Sequence, residues 1–345
     1  MSGEVTSLLD RLLDGESLEE SEAFDFMHRL AGGDVHPALA GALLAALRAK
    51  GETAAEIRGF ATAMRELALH PEVPPGAATV DTVGTGGDGS GSFNLSTGAG
   101  LLAAACGARV VKHGNRSVSS RCGSADLLER LGMPLPLDET AAMACLDALN
   151  FTFLFAPAYH PAMKMVAPVR RALGVRTVFN LLGPLTNPAA PPYQLIGAFS
   201  HDAARLMAET LSGMPIERAF VVHGEPGWDE ATPVGEFVLY DVRPESVTMS
   251  RRVPEDYGLE RCRAEDLKGG DAEQNARELR RVFRREETGA HRGALLMGTS
   301  LVLEVTGLAR NGKEGGAMAA EAIDSGKAEA FLDRFHAHFG GAFRE

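Results

Sequence analysis

The sequence predicts an α/β protein. A small helical domain spans residues 1–75, and a large domain, residues 76–345, is built on a central, largely parallel sheet. Two observations carry this. Up to His70 the apolar residues recur at helical spacing between capping signals. From Thr79 onward, short β-branched runs alternate with helical stretches, the pattern of strand–helix–strand units.

The elements follow in order. Ser17-Leu18-Glu19-Glu20 reads as a capping box opening a helix with Phe24, Met27 and Leu30 on one side, and Gly32-Gly33 ends it. Pro37 starts a second helix, carrying Leu39, Leu43 and Leu47 and ending at Gly51. Thr53-Ala54-Ala55-Glu56 is another capping box, followed by Ile57, Phe60, Met64 and Leu67 on one face. His70-Pro71 to Pro74-Pro75-Gly76 reads as a linker. Strands are expected at 79–83, 109–112, 151–155, 193–198, 218–223 and 236–240, with helices between most of them and a helical tail from Ala272. No internal repeat or low-complexity tract interrupts the chain.

Composition narrows the function. The 345 residues are 45% hydrophobic and 23% charged, as in ordinary globular proteins. The longest apolar stretches, such as Leu101 to Cys106, are too short to span a bilayer. No basic segment precedes an apolar run at the N-terminus, so a secretory signal is not expected. Cysteines 106, 122, 145 and 262 form no C-x-x-C pair and are expected reduced, in a cytoplasmic setting. A net charge of −12 argues against general nucleic-acid binding. An anionic ligand therefore needs local cations, and the stretch from Lys112 to Arg121 holds three.

Two segments point to phosphate. Gly84-Thr85-Gly86-Gly87-Asp88-Gly89 follows the first expected strand, where glycines let backbone N–H groups approach an oxyanion. The helix starting near Phe93-Asn94-Leu95-Ser96-Thr97 directs its N-terminal amides at the same anion. Lys112-His113-Gly114-Asn115-Arg116 ends the second strand with two cations suited to phosphate. Two such loops on neighbouring strand ends suggest a ligand with more than one phosphate. The chain has no G-x-x-x-x-G-K-[ST], and no acidic residue ends a second strand about 20 residues on, as a dinucleotide site requires. Asp88 cannot bind phosphate as a carboxylate; it can hold the loop, accept from a ribose hydroxyl or contact a metal through water. His113 reads either as a packed histidine or as part of the site. Asp229-Glu230, after the strand ending Val222-His223-Gly224, reads either as a solvated acidic turn or as a pair converging on a hard cation. A hydrolase triad is disfavoured, because no G-x-S-x-G elbow is present.

Asp81 to Gly89, Phe93 to Thr97, Lys112 to Ser120, His160-Pro161-Ala162-Met163 and Ala167-Pro168-Val169-Arg170-Arg171 together resemble the anthranilate phosphoribosyltransferase family. So do Thr177 to Pro188, Val222-His223-Gly224, Asp229-Glu230, Gly269-Gly270-Asp271 and Ala322 to Ala328, in order along the chain. The resemblance implies a fold of the nucleoside phosphorylase and phosphoribosyltransferase type, with the site in the cleft between the two domains. It also implies that helices near residues 163–187 return to the small domain. The expected reaction joins anthranilate to 5-phosphoribosyl 1-pyrophosphate, with Mg²⁺, in a homodimer.

The implied donor-binding set is Gly84, Gly87, Asp88, Ser92, Asn94, Leu95, Ser96 and Thr97 from the first segment. Lys112, His113, Gly114, Asn115, Arg116, Ser117, Val118, Ser119, Ser120 and Ser124 belong to the second. Gly84, Asn115 and Arg170 would meet anthranilate, the guanidinium fork of Arg170 holding its carboxylate. Arg171 is turned about 100° around the helix and expected in solvent. Ser96, Asp229 and Glu230 would hold Mg²⁺. No general base is assigned. Ser92 and Ala231 depart from the family pattern, where threonine and a larger aliphatic residue are usual. A pyrimidine nucleoside phosphorylase would lack the Lys112 to Arg116 run. A nucleic-acid-binding relative of the same fold would need a basic face and degraded metal residues, and neither is present.

Overall fold

Amphipathic helices open the chain: α1 (Ser2–Leu13), α2 (Glu20–Gly32), α3 (Pro37–Lys50) and α4 (Ala54–Glu66). This computed structural model describes residues 2–74, 77–117 and 121–340. Thr53 caps α4 as expected: Thr53 Oγ1 accepts from Glu56 N at 3.3 Å, and Glu56 Oε2 accepts from Thr53 N at 2.8 Å. The capping box expected at Ser17 is not used. Buried Glu56 accepts the Leu18 N–H at 2.8 Å, which keeps the chain extended there, so α2 begins at Glu20 with Glu19 at its cap. Gly33 ends α2 in the left-handed conformation, φ +79°.

The sheet-forming part contains β1 (Thr79–Gly84), α5 (Leu95–Ala105), β2 (Arg109–Gly114), α6 (Ser124–Arg130), α7 (Glu139–Leu149) and β3 (Phe151–Phe155). Next come α8 (Ala156–Tyr159), α9 (Met163–Leu173), α10 (Phe179–Leu182), β4 (Tyr193–Gly197), α11 (His201–Ser212) and β5 (Arg218–Gly224). A hairpin of β6 (Phe237–Arg243) and β7 (Ser246–Arg252) follows. The tail is α12 (Ala272–Phe283), α13 (Ala290–Val305), α14 (Gly312–Asp324) and α15 (Lys327–His338).

The strand order is β3-β2-β1-β4-β5-β6-β7. β1 to β5 run parallel, while β6 and β7 are antiparallel additions. β7 was not expected from the sequence: most of its residues are exposed and many are polar, so it carries no burial signal.

Side-chain alternation divides the sheet between two cores. Leu195, Phe220, Val222, Phe237 and Leu239 face a core shared with α5, α12, α13 and α15. Ile196, Val221, Val238 and Tyr240 face the other, which includes Phe26, Leu43, Phe60 and Met64 of the N-terminal helices. Val166, Val169, Phe179 and Leu182 join this second core, so α9 and α10 pack with α2, α3 and α4. The helices of the 163–187 region thus lie beside the N-terminal bundle and carry Arg170 with them.

Candidate active site

The order of parallel strands reverses between β1 and β4, whose C-terminal residues Gly84 and Gly197 pair. In open α/β sheets, ligands bind in the crevice beyond the strand ends at such a point. The glycine-rich loop leaves β1 here, and the segment carrying Asp229 and Glu230 crosses directly over it. A Cβ on Gly84 would collide with the Asp229 carboxylate, and one on Gly197 with the Asp229 carbonyl. The close approach of that segment to the sheet therefore requires both glycines.

The loop and the acidic segment hold each other. Gly86 N donates to Asp229 Oδ2 at 2.6 Å, and Asp229 N donates to Asp88 Oδ2 at 3.3 Å. Asp88 Oδ1 also accepts from Ser90 N at 3.0 Å, so Asp88 braces the loop. Ser96 N, in the first turn of α5, donates to Glu230 Oε1 at 3.1 Å. Burial, then the nearby Asp88 carboxylate, pushes Asp229 up to about 7. Burial and Asp229 push Glu230 up to about 8, against the pull of Lys112. The pair is thus not a solvated turn.

Lys112 is buried at 1% exposure. Its ammonium donates to the Thr82 carbonyl and to Ser96 Oγ, the latter at 3.3 Å. Burial lowers its pKa, opposed by Asp81, Glu230 and Asp229. Beyond Val80, β1 and β2 are bridged by side chains. Asn187 Nδ2 donates to Asp81 Oδ2 at 2.9 Å and to the Val111 carbonyl at 2.8 Å. His113 N donates to Asp81 Oδ1 at 3.2 Å. The His113 and His160 rings meet edge to face with centroids 5.0 Å apart. Burial pushes them down to about 3 and about 4, so both are neutral at pH 7.

Other expected residues fall around this centre. Ser92 Oγ accepts from Ser90 Oγ at 3.1 Å. Asn94 Oδ1 accepts from Asn275 at 2.7 Å, and its Nδ2 donates to the Cys122 carbonyl at 3.1 Å. Leu95 is packed in the core, leaving its backbone to the site. Thr97 Oγ1 is buried and has no hydrogen-bond partner among the described residues. Gly114 pairs with Phe155 at the end of β2, and Ser124 opens α6. Ser117 N donates to Asp126 at 3.1 Å. Asn115 Oδ1 accepts from Arg116 N at 2.7 Å. Arg116, at an exposed position, is engaged in a bidentate pair with Glu129. Val118, Ser119 and Ser120 lie outside the described residues.

Arg170 is half-buried, 5.2 Å over the Phe179 ring, and burial lowers its pKa; Arg171 is exposed, as expected. Among the described residues no group of three or more His, Cys, Asp and Glu side chains converges as a metal cage. Among the described residues Cys106, Cys122, Cys145 and Cys262 form no disulfide.

Several contributors carry little sequence signal. The Lys268-Gly269 segment closes on the glycine-rich loop: Gly269 N donates to the Gly91 carbonyl, and Phe93 N to the Leu267 carbonyl, both at 2.9 Å. Arg176 reaches the loop from the connection after α9. Asp81 and Asn187 lie inside motifs that mark the resemblance, yet their pairing across a strand gap follows from no local pattern.

Models of two domain families match the chain. Residues 76–329 match the glycosyl transferase family, a/b domain, and residues 6–68 the glycosyl transferase family, helical bundle domain. The anthranilate phosphoribosyltransferase of Parvibaculum lavamentivorans is 44% identical over 97% of both chains. That of Desulforudis audaxviator is 46% identical over 96% of this chain and 95% of its own. Among solved structures, the anthranilate phosphoribosyltransferase of Thermus thermophilus superposes with a TM-score of 0.89 at 44% identity, covering 97% of this chain and 99% of that one. The Saccharomyces cerevisiae enzyme in complex with PRPP and Mg gives 0.89 at 26% identity, covering 99% of each.

Proposed function

The chain belongs to the glycosyl transferase family and, within it, to the anthranilate phosphoribosyltransferases, and on that premise we propose how its residues divide the work. Its reaction transfers the 5-phosphoribosyl group from phosphoribosyl pyrophosphate to the anthranilate amine, releasing pyrophosphate, in tryptophan biosynthesis. The observation that carries the assignment of residues is the convergence of the glycine-rich loop, the α5 N-terminus and Asp229-Glu230 at the switch point between β1 and β4.

Gly84 to Thr97 and Lys112 to Ser124 grip the donor. Amides of the loop and the first turn of α5 face its phosphates. Displacement at the ribose C1 leaves negative charge growing on pyrophosphate, and donors fixed in advance stabilise that charge without reorganising. Burial and the neighbouring carboxylate raise the pKa of Glu230, with Lys112 as the nearby cation, a charge deficit that a divalent ion would meet. Two carboxylates and the Ser96 hydroxyl are hard oxygen donors of the kind Mg²⁺ takes and would hold it here. Bound there, Mg²⁺ supplies positive charge to the pyrophosphate oxygens.

Arg170, with Gly84 and Asn115, receives anthranilate. The amine is a neutral nucleophile, so holding it against C1 does more than removing its proton. Neutral His113 and His160 are too weakly basic for that removal. In this reading residues 1–75, joined by the 163–187 helices that pack with them, form the small domain, and Arg170 belongs to it. The same reading makes the enzyme a cytoplasmic homodimer. The absence of a disulfide among the described residues is compatible with a reducing compartment, and exposed Leu13 on α1 offers apolar surface.

The test is loss of anthranilate fluorescence in the presence of phosphoribosyl pyrophosphate and Mg²⁺. Asp229→Asn with Glu230→Gln should lower the rate and alter its Mg²⁺ dependence; wild-type behaviour of the double variant would overturn the metal assignment.

A further inference from the structure

We propose that Arg176 is a positioning residue that sets one peptide group of the phosphate loop and ties it to the N-terminal helices. The proposal rests on reading that loop as the donor site. Arg176 stands in the connection between α9 and α10, outside every motif expected to touch substrate. Its guanidinium donates to the Gly87 carbonyl at 2.5 Å and lies 4.3 Å over the Phe199 ring. Its own carbonyl accepts from Arg48 of α3, also at 2.5 Å. Phe199 N donates in turn to Thr85 Oγ1 at 3.0 Å, so the aromatic platform belongs to the same strand-end cluster as the loop.

The direction of the Gly87 carbonyl decides the direction of an N–H. In a planar trans peptide the Gly87 C=O and the Asp88 N–H point opposite ways. With the carbonyl turned to Arg176, the Asp88 N–H is turned away from it. Gly87 has φ +74°, a conformation glycine adopts freely, so this peptide is easily flipped unless something fixes it. Among the described residues the Gly87 and Asp88 N–H groups have no hydrogen-bond partner and remain available to an anion. A flipped peptide would present a carbonyl dipole to the pyrophosphate instead. The fork of Arg176 fixes it, and the Arg48 bond makes the fork follow the helical domain that also carries Arg170.

The experiment compares Arg176→Ala, Arg176→Lys and the Asp229→Asn/Glu230→Gln double variant, with KM measured for each substrate at saturating co-substrate. Arg176→Ala should raise the donor KM about tenfold, the scale of one charge-assisted hydrogen bond at an accessible position. The anthranilate KM should hold, and the melting temperature should fall only slightly. Arg176→Lys should restore part of the loss, since an ammonium reaches the carbonyl but lacks the plane that stacks on Phe199. A wild-type donor KM in Arg176→Ala, with the double variant impaired, overturns the latch alone. Wild-type behaviour of both overturns the latch and the site assignment together. An equal rise in both KM values with a lowered melting temperature shows a general structural role and also overturns it.

Discussion

Replacing Arg170 by alanine separates the two substrates. The guanidinium is half-buried over Phe179, its pKa lowered by burial, and no side chain or carbonyl among the described residues accepts a hydrogen bond from it. It is a desolvated fork without a protein acceptor, suited to a carboxylate brought by a ligand. Such charge-assisted contacts are worth about 1.5–3 kcal/mol. At about 1.36 kcal/mol per factor of ten, the KM for anthranilate should rise roughly 10- to 150-fold. The cation–π contact, about 0.5–1 kcal/mol, is lost from stability, so the melting temperature should fall only slightly. Initial rates are followed by anthranilate fluorescence, one substrate varied while the other saturates. The donor KM should change less than about twofold, because one lost contact outside its site leaves its own interactions intact. Arg171→Ala, at an exposed position, should behave as wild type. Equal effects on both substrates, or a large loss of stability as the sole effect, would refute the assignment.

Trp228 is buried and exchanges two backbone hydrogen bonds with Gly224, so its indole is already fixed; its emission should be that of a buried ring and change little with donor and Mg²⁺. Solvent-exposed emission without ligand would contradict this. Gly197→Ala should displace the Asp229 segment and abolish most activity, measured by the same fluorescence assay. Gly107→Ala, at φ +102° with open space around it, should cost only backbone strain of about 1–2 kcal/mol, read by urea unfolding. His113 and His160 should show no imidazole titration by NMR above pH 5. Because their folded pKa values lie below the unfolded value, each contributes stability that is complete above about pH 6.5 and is lost as pH falls, to about 4 for His160 and about 3 for His113, by about 1.4 kcal/mol per unit. A ring titrating near 6.5 would show that it is solvated.

Sequence alone determined the elements whose signals are local. Thr53 and Glu56 cap α4 because their spacing lets each reach the other's backbone, and Pro37 and Gly51 bound α3. The glycine-rich run after β1 and the helix after it were likewise legible, and their proposed role as an anion site rests on backbone chemistry. Ser17 misled because a distant carboxylate, Glu56, takes the Leu18 N–H, and local reading cannot weigh a competitor 38 residues away. Asp229 and Glu230 were legible as carboxylates and not as a buried pair. Their burial depends on Gly84 and Gly197 admitting the segment against the strand ends. Arg116 was legible as a cation suited to phosphate, but not its pairing with Glu129, 13 positions away. The bridging of β1 and β2 by Asp81 and Asn187, and the reach of Arg176 to Gly87, join residues 106 and 89 positions apart. Hydrogen bonds and desolvation act on what is near in space. The sequence determines which groups can act, and only the packing of two cores around one sheet decides which of them meet.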